Sequence, residues 1–313
     1  MTEHKDSNSC DLCGGTHFDV ISHTDRHGQP LTTGICSRCG LIAHLPVPDE
    51  AEIAEYYASR YRQDYHGERT PSNRRVMRAW NNAARIHRQI GQHLAPGSRV
   101  FEIGAGIGCT VKYFEQQGFA ASGIEPNADF NRYTRERLHA AVENRNLYDL
   151  EPAPQFDAVL LIHVIEHFTS PSRALSHIHA LLHDDGLLYI ECPNVAAPFA
   201  TFGRLFHYAH IYNFAPETLE QLAAKCGFTL VARITDAGHP DIRMLFSKAA
   251  PETPVIPEGQ AARILQAVGR YGTLGYHLRP AYLGRRTRKL AGYAREYLVA
   301  PWFVRRLLAR MRP

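Results

Sequence analysis

The stretch Arg99-Val-Phe-Glu-Ile-Gly104, followed by Ala-Gly-Ile-Gly-Cys-Thr110, leaves the chain few ways to fold. The apolar run after the Pro96-Gly97 turn reads as a short buried strand, and Thr110 to Gln117 continues as a helix. Between them, glycines at 104, 106 and 108 permit a sharp turn and close approach of backbone to a ligand, the geometry of the first βα crevice of an open parallel sheet. A dinucleotide fingerprint would place glycine where Cys109 stands, and Glu102 just before the first glycine is foreign to that class. A second strand, Ala120 to Glu125, ends in a carboxylate 21 residues after Gly104, the distance at which such acids reach both ribose hydroxyls.

Two matched knuckles precede this unit, Cys10-Asp-Leu-Cys13-Gly and Cys36-Ser-Arg-Cys39-Gly. Four thiolates favour tetrahedral Zn²⁺ and leave no open position for a reacting water, so Cys10, Cys13, Cys36 and Cys39 read as a structural zinc ribbon that depends on its metal for folding. Two redox CxxC pairs would not account for the matching glycines. With the cage complete, His17, His23 and His27 are expected on the surface. Cys109, Cys192 and Cys226 read as packed thiols.

Further along stand "GIEPN", "FDAVLLIHVIEHF", "GLLYIECPN" and "HIYNFAPETLEQLAAKCGF". With "VFEIGAGIG" ahead of them, in this order, the chain resembles the class I S-adenosylmethionine-dependent methyltransferases over about residues 75–250. The resemblance implies an α/β fold, a Rossmann-like, mostly parallel seven-stranded sheet with flanking helices. It also implies S-adenosyl-L-methionine as cofactor. Glu102, Gly104, Ala105, Gly106 and Gly108 would surround its methionyl end, Glu125 and Pro126 its ribose, and Asn146 and Leu147 its adenine. Family members often carry an acid after the third strand, where "NRNLYDL" offers Asn144 and Asn146 first. The knuckles, "LPVP" and the tyrosine-rich "EYYASRY" together resemble zinc-ribbon methyltransferases found with sugar and polysaccharide biosynthesis enzymes. Nucleotide-sugar C-methyltransferases are also similar in part, but they have a large second C-terminal domain and only 63 residues follow Ala250 here. The expected organisation is a zinc ribbon over 1–48, a helical connector over 49–95, the methyltransferase domain over 96–250, and a linker with a basic helical tail over 251–313.

Phe156 to Ile162 reads as the fourth parallel strand, so His163, Glu166 and His167 emerge at its carboxyl end, where open α/β sheets bind ligands. Three roles stay open for them. The His163 backbone would contact the methionyl amine while Glu166 braces the next helix. Alternatively His167, oriented by Glu166 and faced by His210, acts as general base for a hydroxyl acceptor. In the third, His163, Glu166, His167 and His207 or His210 hold a divalent metal, similar to small-RNA 2′-O-methyltransferases with a Glu-x-x-Glu-His motif; His163 in place of the first acid argues against Mg²⁺. The Asn/Asp-Pro-Pro-aromatic run of base amino-methyltransferases is absent, and Cys192-Pro193 reverses the Pro-Cys order of cytosine C5 enzymes.

Charge divides the chain. Residues 255–313 hold 12 Lys and Arg against Glu258 and Glu296, a local +10, which leaves −6 for the rest of a chain of net charge +4. The body therefore does not read as nucleic-acid binding, and any anionic surface meets the tail. There, Val304, Leu307, Leu308 and Met311 recur at helical spacing among Arg305, Arg306, Arg310 and Arg312, after Trp302-Phe303. Such a helix lies on an anionic bilayer or docks on protein. Without an apolar leader or an 18-residue apolar span, the chain reads as cytoplasmic, peripheral at most to the inner membrane face. The expected activity is O-methylation of a sugar, lipid-linked glycan or other small metabolite. The alternatives are an RNA or protein methyltransferase gripping its substrate with ribbon and tail, and a non-catalytic cofactor-binding scaffold in a glycan assembly complex.

Overall fold

The computed structural model describes residues 9–59, 70–197, 200–270 and 273–311. Arg312 and part of the 55–61 tyrosine-rich segment lie outside them. In chain order the strands are β1 (Phe18–Thr24), β2 (Pro30–Cys36), β3 (Ile42–His44), β4 (Arg99–Ile103), β5 (Ala120–Ile124), β6 (Val142–Glu143), β7 (Phe156–Ile162), β8 (Leu182–Pro193), β9 (Tyr212–Asn213), β10 (Phe228–Arg233) and β11 (Asp241–Lys248). The helices are α1 (Glu50–Ser59), α2 (Asn73–Ile90), α3 (Cys109–Gln116), α4 (Ala128–Tyr133), α5 (Pro171–Leu181), α6 (Pro216–Lys225), α7 (Gln260–Val268), α8 (Thr273–His277) and α9 (Pro280–Ala309).

Among the described residues, seven strands form the main sheet in the order β10-β11-β8-β7-β4-β5-β6. Pairs β4–β5, β4–β7 and β5–β6 are parallel and β10–β11 is antiparallel. The expected α/β, Rossmann-like, mostly parallel sheet is present. Ala158, Val159, Leu160 and Leu161 of β7 are all buried, the continuous apolar run of a strand covered on both faces. Ile103 pairs with Ile124 on one side and Leu161 on the other. Gly104 and Glu125, each the next residue along, therefore leave the sheet at the edge where β7 ends at Ile162.

The chain divides into two compact units. One combines the N-terminal residues with His163–His179 and Ile190–His277; the other combines the segment up to Ile162 with Ala180–Tyr189 and the residues from Leu278 onward. In the first, β1, β2, β3 and β9 form a four-stranded sheet, β9 pairing antiparallel with β3. Ile35 and Ile42 of this sheet share a core with Phe206, Ile264 and Val268. Asp11, inside the first knuckle, is fully buried and accepts hydrogen bonds from Ser172 N (2.7 Å), Ser172 Oγ (2.8 Å) and Ser170 Oγ (3.0 Å) at the start of α5. A carboxylate there meets the unpaired N–H groups and positive end of the helix.

In the second unit, Val76, Met77, Ala83, Ile86 and Ile90 give α2 its buried stripe at helical spacing. α9 runs through Pro301, and its Val304 and Leu307, with Met311 just beyond its end, are buried, each contributing about 1.5–3 kcal/mol. Arg78 on α2 pairs with Glu296 and lies 4.9 Å from the ring centre of Tyr293. Of the two surfaces open to the tail helix, its apolar stripe takes protein; Leu298 and Trp302 remain exposed. No helix among the described residues is long and apolar enough to cross a membrane.

Candidate functional site

The glycine loop after β4 is shaped by Glu125. Its Oε2 accepts the Gly106 N–H (2.8 Å) and its Oε1 accepts the Asn127 N–H (2.7 Å), so one carboxylate ties the loop to the end of β5. Each oxygen keeps a further lone pair. Burial raises the Glu125 carboxyl, against the pull of those two N–H groups. Glu102, one strand inward, is buried with Oε2 unpartnered among the described residues, and burial pushes it to about 8. Gly108 opens α3 with φ of 73°, and a Cβ there would stand 2.2 Å from Thr134 Cγ2, so both dihedral and space require glycine. Ala105 is buried in the same turn. Asn144 Nδ2 donates to the carbonyls of Glu125 (2.8 Å) and Pro126 (2.9 Å). Asn146 caps a short helix that begins at the buried Leu147.

A second constellation starts one residue after β7. His163 has a left-handed backbone, φ of 55°, uncommon outside glycine, and its N–H donates to the Glu191 carbonyl at 2.7 Å. Three imidazoles, two from this turn and His210 from a distant loop, surround one acid. Glu166 Oε1 lies 3.6 Å from His163 Nδ1, 3.8 Å from His210 Nε2 and 4.0 Å from His167 Nε2. Glu166 is 1% exposed, and neither of its oxygens has a hydrogen-bond partner among the described residues. His167 Nδ1 lies 2.6 Å from the Ala209 carbonyl, an acceptor, so Nδ1 carries the proton and Nε2 presents its lone pair. The His207 and His210 rings are tilted by 48° with centres 3.7 Å apart. Burial, with the neighbouring His167 and His207 imidazoles, keeps His210 well below the ordinary histidine range; burial and Arg26 bring His207 to about 2. Beside them, Glu191 is buried and accepts from Arg243 Nε (3.1 Å), whose other nitrogen reaches Asp241 Oδ2 (3.0 Å).

The four knuckle cysteines also converge. Cys10 Sγ lies 3.4 Å from Cys39 Sγ and Cys13 Sγ 3.5 Å from Cys36 Sγ, with all four sulfurs within 4.8 Å of one another. Tetrahedral Zn–S bonds of about 2.3 Å place sulfurs roughly 3.8 Å apart, so the cage fits that ion. Gly14 and Gly40 turn with φ of 71° and 77°, and Gly15 N–H points at Cys13 Sγ (3.4 Å). His17, His23 and His27 are exposed, and Cys109, Cys192 and Cys226 are buried.

Sequence reasoning located the Glu166 turn and His210 but not Glu191, Arg243 or Asp241. The acid interrupting the apolar "LLYIECP" was a usable signal; Arg243 is 52 residues away and had none.

A family profile described as a methyltransferase domain matches residues 73–233, half of the chain. The chain belongs to this methyltransferase-domain family. It is 31% identical over 103 residues to the ubiquinone biosynthesis O-methyltransferase of Rhodopseudomonas palustris strain TIE-1, covering 31% of this chain and 41% of that protein. With the corresponding enzyme of strain HaA2 it shares 27% identity over 161 residues, 48% of this chain and 64% of that protein. The chain thus spans about two fifths of the first of these curated relatives. In fold it is similar to the crystal structure of Burkholderia thailandensis 1,6-didemethyltoxoflavin-N1-methyltransferase, solved with 1,6-didemethyltoxoflavin and S-adenosylhomocysteine. The TM-score is 0.50 at 22% identity, over 70% of this chain and 96% of that one.

Proposed function

We propose that the enzyme moves the methyl group of S-adenosylmethionine to a hydroxyl oxygen of a small molecule, a sugar or glycan in preference to a nucleic acid or protein. The observation that carries the oxygen chemistry is the acid–imidazole cluster placed directly after β7, at the sheet edge where this fold binds ligands. The O-methyltransferases of Rhodopseudomonas palustris support it.

In this reading Glu125 takes the ribose hydroxyls on its remaining lone pairs, Pro126 follows along the ribose, and Asn146 and Leu147 border the adenine. Glu102, Gly104, Ala105, Gly106 and Gly108 surround the methionyl end. The acceptor oxygen attacks the methyl carbon, an O–C bond forms, the C–S bond breaks, and its electron pair stays on sulfur as S-adenosylhomocysteine leaves. The acceptor's proton passes to the Glu166–His167–His210 cluster. Because a sulfonium is already a good leaving group, in-line positioning supplies much of the rate. The four cysteines hold structural Zn²⁺. The exposed Leu298 and Trp302, with the exposed Arg295, Arg305 and Arg306, suit contact with an anionic membrane carrying a lipid-linked acceptor.

The experiment is transfer of a labelled methyl group to a panel of sugar, lipid-linked glycan, phenol, RNA and peptide acceptors. Label in an alkali-stable ether of a hydroxyl acceptor is the expected product. His167→Ala should lower kcat by about 10²-fold or more. Label only in RNA or protein, or an unchanged kcat in the variant, rejects the reading.

A further inference from the structure

We infer that Asp241 and Arg243 form a binding site for the acceptor, one that takes neighbouring hydroxyl groups of a neutral, sugar-like molecule. The inference deepens the hydroxyl-acceptor reading above and rests on it for the reaction, but it shares no residue with the proton-accepting cluster.

Place is the first reason. The His163 N–H, just past the end of β7, donates to the Glu191 carbonyl near the end of β8 (2.7 Å), and the Glu191 side chain reaches Arg243. Asp241, the first residue of β11, therefore lies beside the carboxyl ends of β7 and β8, the edge at which open α/β sheets bind ligands. All of these residues belong to the first of the two compact units.

The layout of charge is the second. Glu191, Arg243 and Asp241 make a ladder from core to surface, with side chains 3%, 14% and 29% exposed. Glu191 Oε1 accepts from Arg243 Nε (3.1 Å), and Arg243 Nη2 donates to Asp241 Oδ2 (3.0 Å). A largely buried ion pair seldom adds stability over apolar residues of the same volume, so its presence at the ligand edge points to another use. Asp241 Oδ1 and Arg243 Nη1 have no hydrogen-bond partner among the described residues. An acceptor and a donor held side by side match the edge of a sugar ring, where each hydroxyl both accepts and donates. With His163 Nε2 3.8 Å from Glu191, two acids face two basic side chains, and the group has no excess positive charge to draw a phosphate or carboxylate.

Third, the backbone beneath the pair is held from two sides. Asn194, fully buried, donates from Nδ2 to the Ala237 and His239 carbonyls (3.0 Å each) and from its N–H to the Pro240 carbonyl (2.8 Å). Thr235 Oγ1 donates to the Asp241 carbonyl (2.9 Å) and accepts the Arg243 N–H (3.0 Å). Such supports fix polar groups before a ligand arrives and so reduce the entropy lost on binding. Glu191, Asn194 and Thr235 position the site; Asp241 and Arg243 make the contacts.

The test is saturation-transfer NMR on the full chain with S-adenosylhomocysteine present. The probes are a panel of methyl hexosides and, as a ligand without neighbouring hydroxyls, phenol. At least one methyl hexoside should receive saturation in the unmodified protein. Asp241→Ala should weaken its binding by about 10- to 100-fold, the loss of hydrogen bonds to a charged group. Asp241→Asn, which keeps an oxygen acceptor, should lose less. Calorimetric affinity for S-adenosylhomocysteine should stay the same in both variants, which separates a lost contact from a lost fold. No saturation of any methyl hexoside, preference for phenol, or equal hexoside affinity in Asp241→Ala overturns the inference. Binding is read without turnover, so the reading above can fail alone: a hexoside that binds through Asp241 but accepts no labelled methyl group rejects hydroxyl transfer and leaves the site in place.

Discussion

Replacing Glu125 by alanine is expected to weaken S-adenosylmethionine binding by about 10- to 100-fold, the equivalent of losing hydrogen bonds to a charged group worth about 1.5–3 kcal/mol. The reason lies in what the carboxylate does before any ligand arrives. It holds the Gly106 and Asn127 N–H groups, so the variant loses the ribose acceptor and also the tether that shapes the glycine loop. Glu125→Gln keeps one acceptor oxygen and should fall between the two. Calorimetric titration of each variant decides this, with circular dichroism as a check on folding. Unchanged affinity in Glu125→Ala removes the ribose assignment.

Cys36→Ser is expected to be more damaging to the fold. Structural zinc in small sites contributes roughly 10–16 kcal/mol of binding free energy to folding, against a total stability of about 5–15 kcal/mol for a typical domain. The cage is also not a detached ribbon. Its sheet is completed by β9, Asp11 anchors the start of α5, and Gln260 Nε2 on α7 donates to the Cys39 carbonyl at 2.8 Å. Loss of even 4 kcal/mol lowers Tm by about 8–16 °C for a domain of 150–250 residues. The freshly purified protein should contain cage zinc, and thermal melts of Cys36→Ser or of chelator-treated protein should shift by at least this much. Zinc-free protein with an unshifted melt rejects the structural metal.

These two groups differ in how they could be read from residues alone. The turn from Gly104 to Gly108 and the acid at Glu125 are local: strand, glycines, helix and second strand follow one another within 30 residues, so spacing carries the geometry. The knuckles are local pairs in the same sense. The cluster at Glu166 was legible in place, because an apolar strand ending in His163-x-x-Glu166-His167 puts those groups at a ligand-binding edge. Its arrangement was not. His210 reaches Glu166 from 44 residues away, Arg243 reaches Glu191 from 52, and no periodicity encodes either contact. The same limit applies at the tail: the spacing of Val304, Leu307 and Met311 declares a buried face, but an apolar stripe looks alike whether protein or lipid covers it. The fourth strand of the ribbon sheet, only two residues long, is set by its partner β3 and has no signature of its own.

The central claim is that the crevice beyond β4 and β5 selects a methyl donor over other adenosine cofactors. The direct measurement is calorimetric titration of the purified, zinc-loaded protein with S-adenosylmethionine, S-adenosylhomocysteine and NAD. Saturable one-to-one binding of the first two, with no heat from NAD, is the predicted result. NAD binding comparable to that of the methyl donor, or no binding of the methyl donor by folded protein, contradicts it.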